Sequence, residues 1–307
     1  MIDGSLLFEQ LFNGVQYGIL LFLLAAGLTL VFGIMDLMNL AHGSLYMMGA
    51  YFAAVVTRAT GSFLLGIAVS LPATLVLGIV IEVVVLRRLY ARGHLDQVLA
   101  TFGLILFFNE LVRLIWGPAG IQVALPNFLN EALVMFDVPL PVYRIAIIVV
   151  GLAVALFLYL LVTKTRTGML IRAGASNREM VGALGVDIKK VFTLVFGLGA
   201  GLAALAGVLA GPIFSVTIGM GENILIQVLV VIVIGGIGSV RGAFVAAFLI
   251  GVIDIMGRAF LDLFFQLFLP VNAAETAAPA VASMLIYILM ATVLFFRPQG
   301  LFPARTG

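Results

Sequence analysis

The chain has 307 residues, of which 64% are hydrophobic types and only 10% are charged, with a mean hydropathy of +1.27. A soluble domain carries roughly 45–50% apolar residues and about 25% charged, so soluble, disordered, collagen-like and coiled-coil classes are all excluded and an all-α polytopic transmembrane bundle remains. Net charge is only +2, from 16 basic against 14 acidic residues with no basic stripe, which excludes a nucleic-acid partner despite a pI near 9.0.

The absence of cysteine removes disulfides, thiolate chemistry and Cys-ligated metals. The two histidines, His42 and His94, lie far apart and have no metal-ligand spacing around them, so no metal site is expected. Asp3 and Glu9 stand before the first apolar run, where a secretory signal would carry Lys or Arg.

Apolar runs follow at roughly 11–33, 43–57, 65–86, 97–116, 142–163, 191–211, 223–237, 242–262 and 280–296. A bilayer core needs about 20 apolar residues per helix. Runs 43–57 and 223–237 are short for that, so eight to ten spans are predicted, with the short ones read as half-helices, re-entrant segments or tilted spans.

Two stretches interrupt the apolar pattern. Gly33 to Gly43 (GIMDLMNLAHG) carries Asp36, Asn39 and His42, and Gly235 to Gly242 (GGIGSVRG) is glycine-rich. Each follows one apolar helix and precedes a small-residue helix, so they read as corresponding parts of a weak internal repeat. Glycine-interrupted spans in paired positions point to a transport path; a tight turn between antiparallel helices is the alternative for both. Asn39 and His42 are the candidate path residues of the first break. Thr101 and Asn109, eight residues apart and so on one helix face, are candidates on the run 97–116.

Charges inside the runs come in pairs. Glu110 and Arg113 are three apart, Asp254 and Arg258 four apart, and Glu82 precedes Arg87 by about a turn. Such spacing allows intrahelical pairing, and the structural role is favoured. Gly197/Gly201 and Gly207/Gly211 have the small-xxx-small spacing that lets helices approach closely, within the bundle or against another membrane subunit.

Basic residues orient the chain. With the N-terminus outside, inner segments hold Arg87, Arg88, Arg92, Lys164, Arg166, Arg172, Arg178, Lys189, Lys190, Arg241, Arg297 and Arg305. The outer side holds Arg58, Arg113, Arg144 and Arg258, which predicts an outer N-terminus and a cytoplasmic C-terminus. The longer polar stretches are then 117–141 and 263–279 outside and 164–190 inside, none large enough to be a separate domain. The whole of 1–307 is one membrane domain.

Segment 164–190 (KTRTGMLIRAGASNREMVGALGVDIKK) is amphipathic and basic. Asn177 is placed to cap a short helix that Gly185 ends. Met180, Val181, Ala183 and Leu184 form its apolar patch and Arg178 and Glu179 its charged side. A helix this small is suited to docking in a groove of another protein, and too small to anchor on lipid.

The runs Arg166 to Ala173 and Asn177 to Gly185 resemble the cytoplasmic loop of branched-chain amino acid ABC importer permeases, the LivH type. The likeness continues through Asn39 to Gly43, Gly207 to Gly211, Gly235 to Ala243 and Arg297 to Phe302, so it covers essentially the whole chain. It departs at Arg241, where a small or uncharged residue or proline is expected.

The resemblance implies a multi-pass subunit of a bacterial inner membrane, embedded in lipid. It implies a second permease subunit, two cytoplasmic ATPase subunits that bind ATP and Mg, and a periplasmic solute-binding protein as partners. Segment 164–190 becomes the coupling loop, with Asn177, Arg178, Glu179, Met180, Gly182, Leu184 and Gly185 facing the ATPase. The cargo class is Leu, Ile, Val or related small amino acids. No G-x-x-x-x-G-K-[ST] motif occurs in the chain, so energy comes from the partners and the chain is a transport subunit with no cofactor of its own. The competing reading is a stand-alone secondary transporter or channel for a small polar solute, which explains the breaks but not the loop helix.

Overall fold

The computed structural model describes residues 4–90, 92–135 and 138–302, so Asp3 and Arg305 of the charge arguments lie outside the described residues. In chain order the elements are α1 (Gly4–Met35), α2 (His42–Thr60), α3 (Phe63–Val84), a 3-10 turn (Leu86–Arg88), α4 (His94–Trp116) and α5 (Asn127–Asn130). A hairpin of β1 (Ala132–Met135) and β2 (Val138–Pro141) follows, then α6 (Val142–Lys164), α7 (Arg166–Ser176), α8 (Arg178–Ala183), α9 (Ile188–Phe214), α10 (Met220–Gly235), α11 (Val240–Phe265) and α12 (Val271–Phe296).

Seven of these helices (α1, α3, α4, α6, α9, α11 and α12) are long and apolar enough to cross a membrane. With α2 and the shorter α10 they account for all nine apolar runs and make the predicted all-α bundle. The helical outcome is forced, because in hydrocarbon each backbone N–H and C=O must find a partner within its own segment.

Helix α1 is the axis. Its residues from Gly18 to Val31 are buried without interruption against α11, α9, α6 and α10. Small residues make that packing close. A side chain added at Gly14 would stand 2.8 Å from Val252 Cα, and one at Gly18 2.8 Å from Ala247 O, so α1 and α11 touch backbone to backbone. Helix α12 is peripheral: only Ala274, Ala278, Ala282 and Ile286 are buried, one stripe at four-residue spacing against α11.

The bundle has two ends. The hairpin end carries 117–141, where Met135 pairs with Val138 and Ala132 with Pro141, and where Tyr143 donates to Leu209 O at 2.8 Å. The loop end carries α7 and α8, with Gly174 beside Ile34 at the end of α1.

Two polar stretches differ from expectation. The segment 263–279 is mostly helix, because α11 runs to Phe265 and α12 starts at Val271. Segment 164–190 holds two helices, not one: α7 precedes α8. Thr165 caps α7 by accepting from Gly168 N at 3.0 Å, and Gly168, Ile171 and Gly174 form its buried stripe.

The second glycine break is a tight turn at the loop end. Gly236 and Gly238 take φ of +100° and +79°, conformations that favour glycine. Residues 300–302 close it, since Leu301 N donates to Ile234 O at 2.8 Å and Phe302 N to Gly235 O at 3.0 Å, satisfying carbonyls that end α10. Arg241 beside this turn lays its guanidinium 5.4 Å from the Tyr159 ring centre, a cation–π contact that suits its position there.

Candidate transport path and coupling segment

The first break differs from the second in depth. Asp36 ends α1 at φ +50°, and the chain then runs without helix to Ala41. Helix α2 starts beside the interior of α1: a side chain at Gly27 would lie 2.8 Å from Gly199 O and 3.0 Å from His42 Nε2. Gly27 is eight residues before the end of α1, about 12 Å along the helix. The start of α2 therefore lies inside the bundle.

Helix α10 starts at the same place. The backbones of Gly43 and Gly221 touch, each leaving no room for a side chain on the other. Two helix N-termini thus meet within the bundle, and such ends carry unsatisfied N–H groups and partial positive charge.

The four sequence-predicted path residues gather along this seam. Asn39 is 2% exposed and neither polar atom of its side chain has a hydrogen-bond partner within the protein, while the fully buried His42 imidazole lies against the backbone of Leu24 in α1. Thr101 is fully buried; its hydroxyl is 2.9 Å from Gln97 O and 3.4 Å from Met38 O, which ties α4 to the first break. Asn109, half-buried, donates to Glu222 of α10. Glu222 was not identifiable from the sequence pattern, because an acidic residue opening an apolar run also reads as a favourable first-turn charge.

The helix-packing glycines have unequal surroundings. Gly207 meets Tyr46 O and, at 3.3 Å, Ala50 N, so α9 and α2 are in backbone contact there. Gly197 faces Ile79 side-chain atoms at 3.3 and 3.5 Å, Gly201 only Leu75 Cδ1 at 4.0 Å, and Gly211 the side chains of Val216 and Val123 in two loops. Gly199, outside the predicted set, is tighter than Gly201, with Val31 Cγ2 at 3.0 Å and Gly27 O at 3.1 Å.

The paired charges form as their spacing predicts. Arg113 meets Glu110 at 2.9 Å and Arg258 grips Asp254 with two bonds of 3.0 Å. Glu82 does more than pair with Arg87. Its fully buried carboxylate accepts two bonds from Arg87 (3.2 and 2.9 Å), one from Tyr90 (2.6 Å) and one from Thr193 (2.8 Å). It thereby fastens α3, the turn after it and α9 at the loop end. Glu82→Gln keeps the shape and removes the charge, and is expected to cost about 2 kcal/mol, read as a lower Tm of the solubilised protein. An unchanged Tm counts against the network as a fastener.

Within the loop segment, Asn177 caps α8 by accepting from Met180 N at 2.9 Å, and Gly185 ends it at φ +87°. The apolar patch is one residue narrower than predicted: Val181 is 7% exposed and packs inward, leaving Met180 (58%), Ala183 and Leu184 (77%) on the surface with Arg178, Glu179 and Gly182. Asp187 caps α9 through Lys189 N and Lys190 N. Desolvation pushes its pKa up, but the hydrogen bonds and charge of Lys190, with the N–H of Lys189, outweigh this and hold the carboxyl below its usual range.

Helices that break inside an apolar bundle around unsatisfied polar groups, with a small capped helix presented at one end, define a polytopic permease domain. The chain belongs to the family described as the permease component of branched-chain amino acid transport systems, whose model matches residues 10–294. It is 31% identical over 306 residues to the high-affinity branched-chain amino acid transport system permease protein BraD of Pseudomonas aeruginosa, covering 95% of this chain and 94% of the relative. It is 30% identical over 271 residues to the corresponding LivH protein of Escherichia coli K12, covering 83% and 87%. To the probable branched-chain amino acid transport permease protein LivH of Methanocaldococcus jannaschii it is 26% identical over 303 residues, covering 94% and 90%. No solved structure matches the chain.

Proposed function

We propose that the chain is the transmembrane permease subunit of an ATP-driven, binding-protein-dependent importer for branched-chain or related small amino acids. The observation that carries this is family membership along 10–294, with a relative 31% identical over nearly the full length of both chains. The assembly adds a second permease subunit, two cytoplasmic ATPase subunits that bind ATP and Mg, and a periplasmic solute-binding protein. The subunit sits in the bacterial inner membrane with its N-terminus outside and its C-terminus cytoplasmic, a reading supported by the basic residues gathered at the loop end.

In this reading α8 is the coupling helix. Asn177, Arg178, Glu179, Met180, Gly182, Leu184 and Gly185 present it to the ATPase. Nucleotide-driven closure moves α8, and through α7 and α9 the bundle alternates its access around the first break. Asn39 and His42 line or gate the path there, with Thr101 and Asn109 on the α4 side; their unsatisfied or interhelical polar groups support this. Gly197, Gly201, Gly207 and Gly211 serve helix packing.

Pull-down from native membranes is expected to bring the ATPases with the chain, and the reconstituted complex to import leucine only with ATP. Leucine flux through this chain alone, without any ATPase, would instead establish the stand-alone transporter. Reporter fusions at Gly174 and after Phe302 are expected to read cytoplasmic and one at Asn130 periplasmic; a reversed signal at any of the three overturns the orientation.

A further inference from the structure

Glu82, Glu110 and Asp254 each hold an arginine, while Asp262, near the end of α11, accepts from the amide of Gln266 at 2.9 Å. Glu222 holds no arginine: among the described residues no basic group lies at ion-pair distance from it, and its partner is the neutral amide of Asn109. Its depth can be measured along two helices. Glu222 is thirteen residues from the loop-end terminus of α10 at Gly235, at most about 20 Å. Asn109, which it touches, is fifteen residues from His94 at the loop end of α4, at most about 22 Å. Both place the carboxylate within a hydrocarbon thickness of about 30 Å.

A carboxylate at that depth costs several kcal/mol unless water or a full counter-charge reaches it, and the first turn of α10, where Glu222 stands, supplies only partial positive charge. Glu222 is only half-buried, and the next residue, Asn223, is exposed. The carboxylate therefore stands at the start of α10, tied to α4 through Asn109 and open on one side. Beside it lie the Gly43–Gly221 contact and the residues leading into it, His42 and Asn39, the latter with both side-chain polar atoms unpartnered. Ile226, one turn along α10, is 54% exposed and makes the adjoining surface apolar.

A cargo with an aliphatic side chain needs no polar partner for that side chain. Its ammonium group does: stripped of water in the bundle, it requires an acceptor, and a carboxylate is the strongest available. We propose that Glu222, held in place by Asn109 at the embedded start of α10, receives the ammonium group of the amino acid passing through the bundle. Asn109 is then a positioning residue that keeps one carboxylate oxygen engaged and leaves the other for the cargo. This rests on the reading of the chain as an amino acid permease.

The test uses the complete importer, with second permease, ATPases and binding protein, in proteoliposomes with radiolabelled leucine. Glu222→Gln should cut uptake roughly tenfold or more, the worth of a charge-assisted hydrogen bond. Binding-protein-stimulated ATP hydrolysis, complex yield and Tm should stay at wild-type values. Glu222→Asp, which keeps the charge, should restore much of the uptake. Wild-type uptake by the Gln variant overturns the proposal. So does an Asp variant no better than Gln, and so does a fall in complex yield and Tm that accompanies the loss, since Glu222 is then a structural cap. A wild-type complex that imports no leucine fails the permease reading itself, and this proposal with it; import by wild type and Gln variant alike fails Glu222 alone.

Discussion

An importer carrying Glu179→Lys together with Leu184→Asp is expected to reach the membrane in wild-type amount and to import no measurable leucine. Both side chains are exposed, and the residue that fastens α8 to the bundle, the buried Val181, is untouched. Exposed substitutions of this kind change folding stability by only about 0.5 kcal/mol. Docking is another matter. The change reverses one charge and puts a second on a surface whose apolar part is Met180, Ala183 and Leu184, so a matching groove would have to bury an unpaired carboxylate, at several kcal/mol. Solute-stimulated ATP hydrolysis should disappear along with uptake, because the two are linked through the same contact. Hydrolysis stimulated to the wild-type level in the reconstituted double variant would sink the assignment of α8 to the ATPase.

Gly207→Leu should be more damaging than Gly201→Leu or Gly211→Leu. Its first side-chain carbon collides with Tyr46 O and reaches within 3.3 Å of Ala50 N, both backbone of α2, which cannot rotate aside as a side chain does. Forcing α2 off α9 is expected to cost on the order of 3 kcal/mol. Gly201→Leu meets only Leu75 Cδ1 at 4.0 Å and should melt near wild type, with Gly211→Leu between the two because Val216 and Val123 are loop side chains that can yield. Thermal melts of the three solubilised variants check the order. Equal Tm values for Gly201→Leu and Gly207→Leu would remove the α2–α9 backbone contact from the account.

The nine helices of the apolar runs were legible because each is a run of apolar residues whose signal is local, and the ends of α8 because Asn177 and Gly185 act on their immediate neighbours. Helix α7 was not. Its buried stripe is Gly168, Ile171 and Gly174, and two of those three carry no hydrophobic signal, while Arg166 and Arg172 mark the stretch as loop. The inward turn of Val181 was equally hidden, since nothing in a six-residue helix says which of its apolar residues meets the bundle. In the path region the sequence exposed Asn39, His42, Thr101 and Asn109 as polar residues in apolar runs. Glu222 escaped because its partner lies 113 positions away, a separation at which no local pattern operates. The two glycine breaks looked equivalent in sequence; their difference in depth comes from which helices pack on them.

The pairing of residues 301 and 302 with the end of α10 also has a temporal side. Ile234 and Leu301 are 67 positions apart, with α11 and α12 between them. At roughly 5–20 residues per second the ribosome needs about 3–13 s to pass from one to the other. During that interval α10 is already made while α11 and α12 are being added, and the carbonyls of Ile234 and Gly235 have no partner from 301 and 302 and must be served by water. Such a wait is harmless at an aqueous boundary and costly in hydrocarbon. The chain can therefore leave this turn to be stitched late, whereas the first break, deep in the bundle, is made before the helices that enclose it, α9 and α10, exist. Inhibiting elongation between α11 and α12 should accordingly trap a nascent bundle whose second break is still open to solvent exchange.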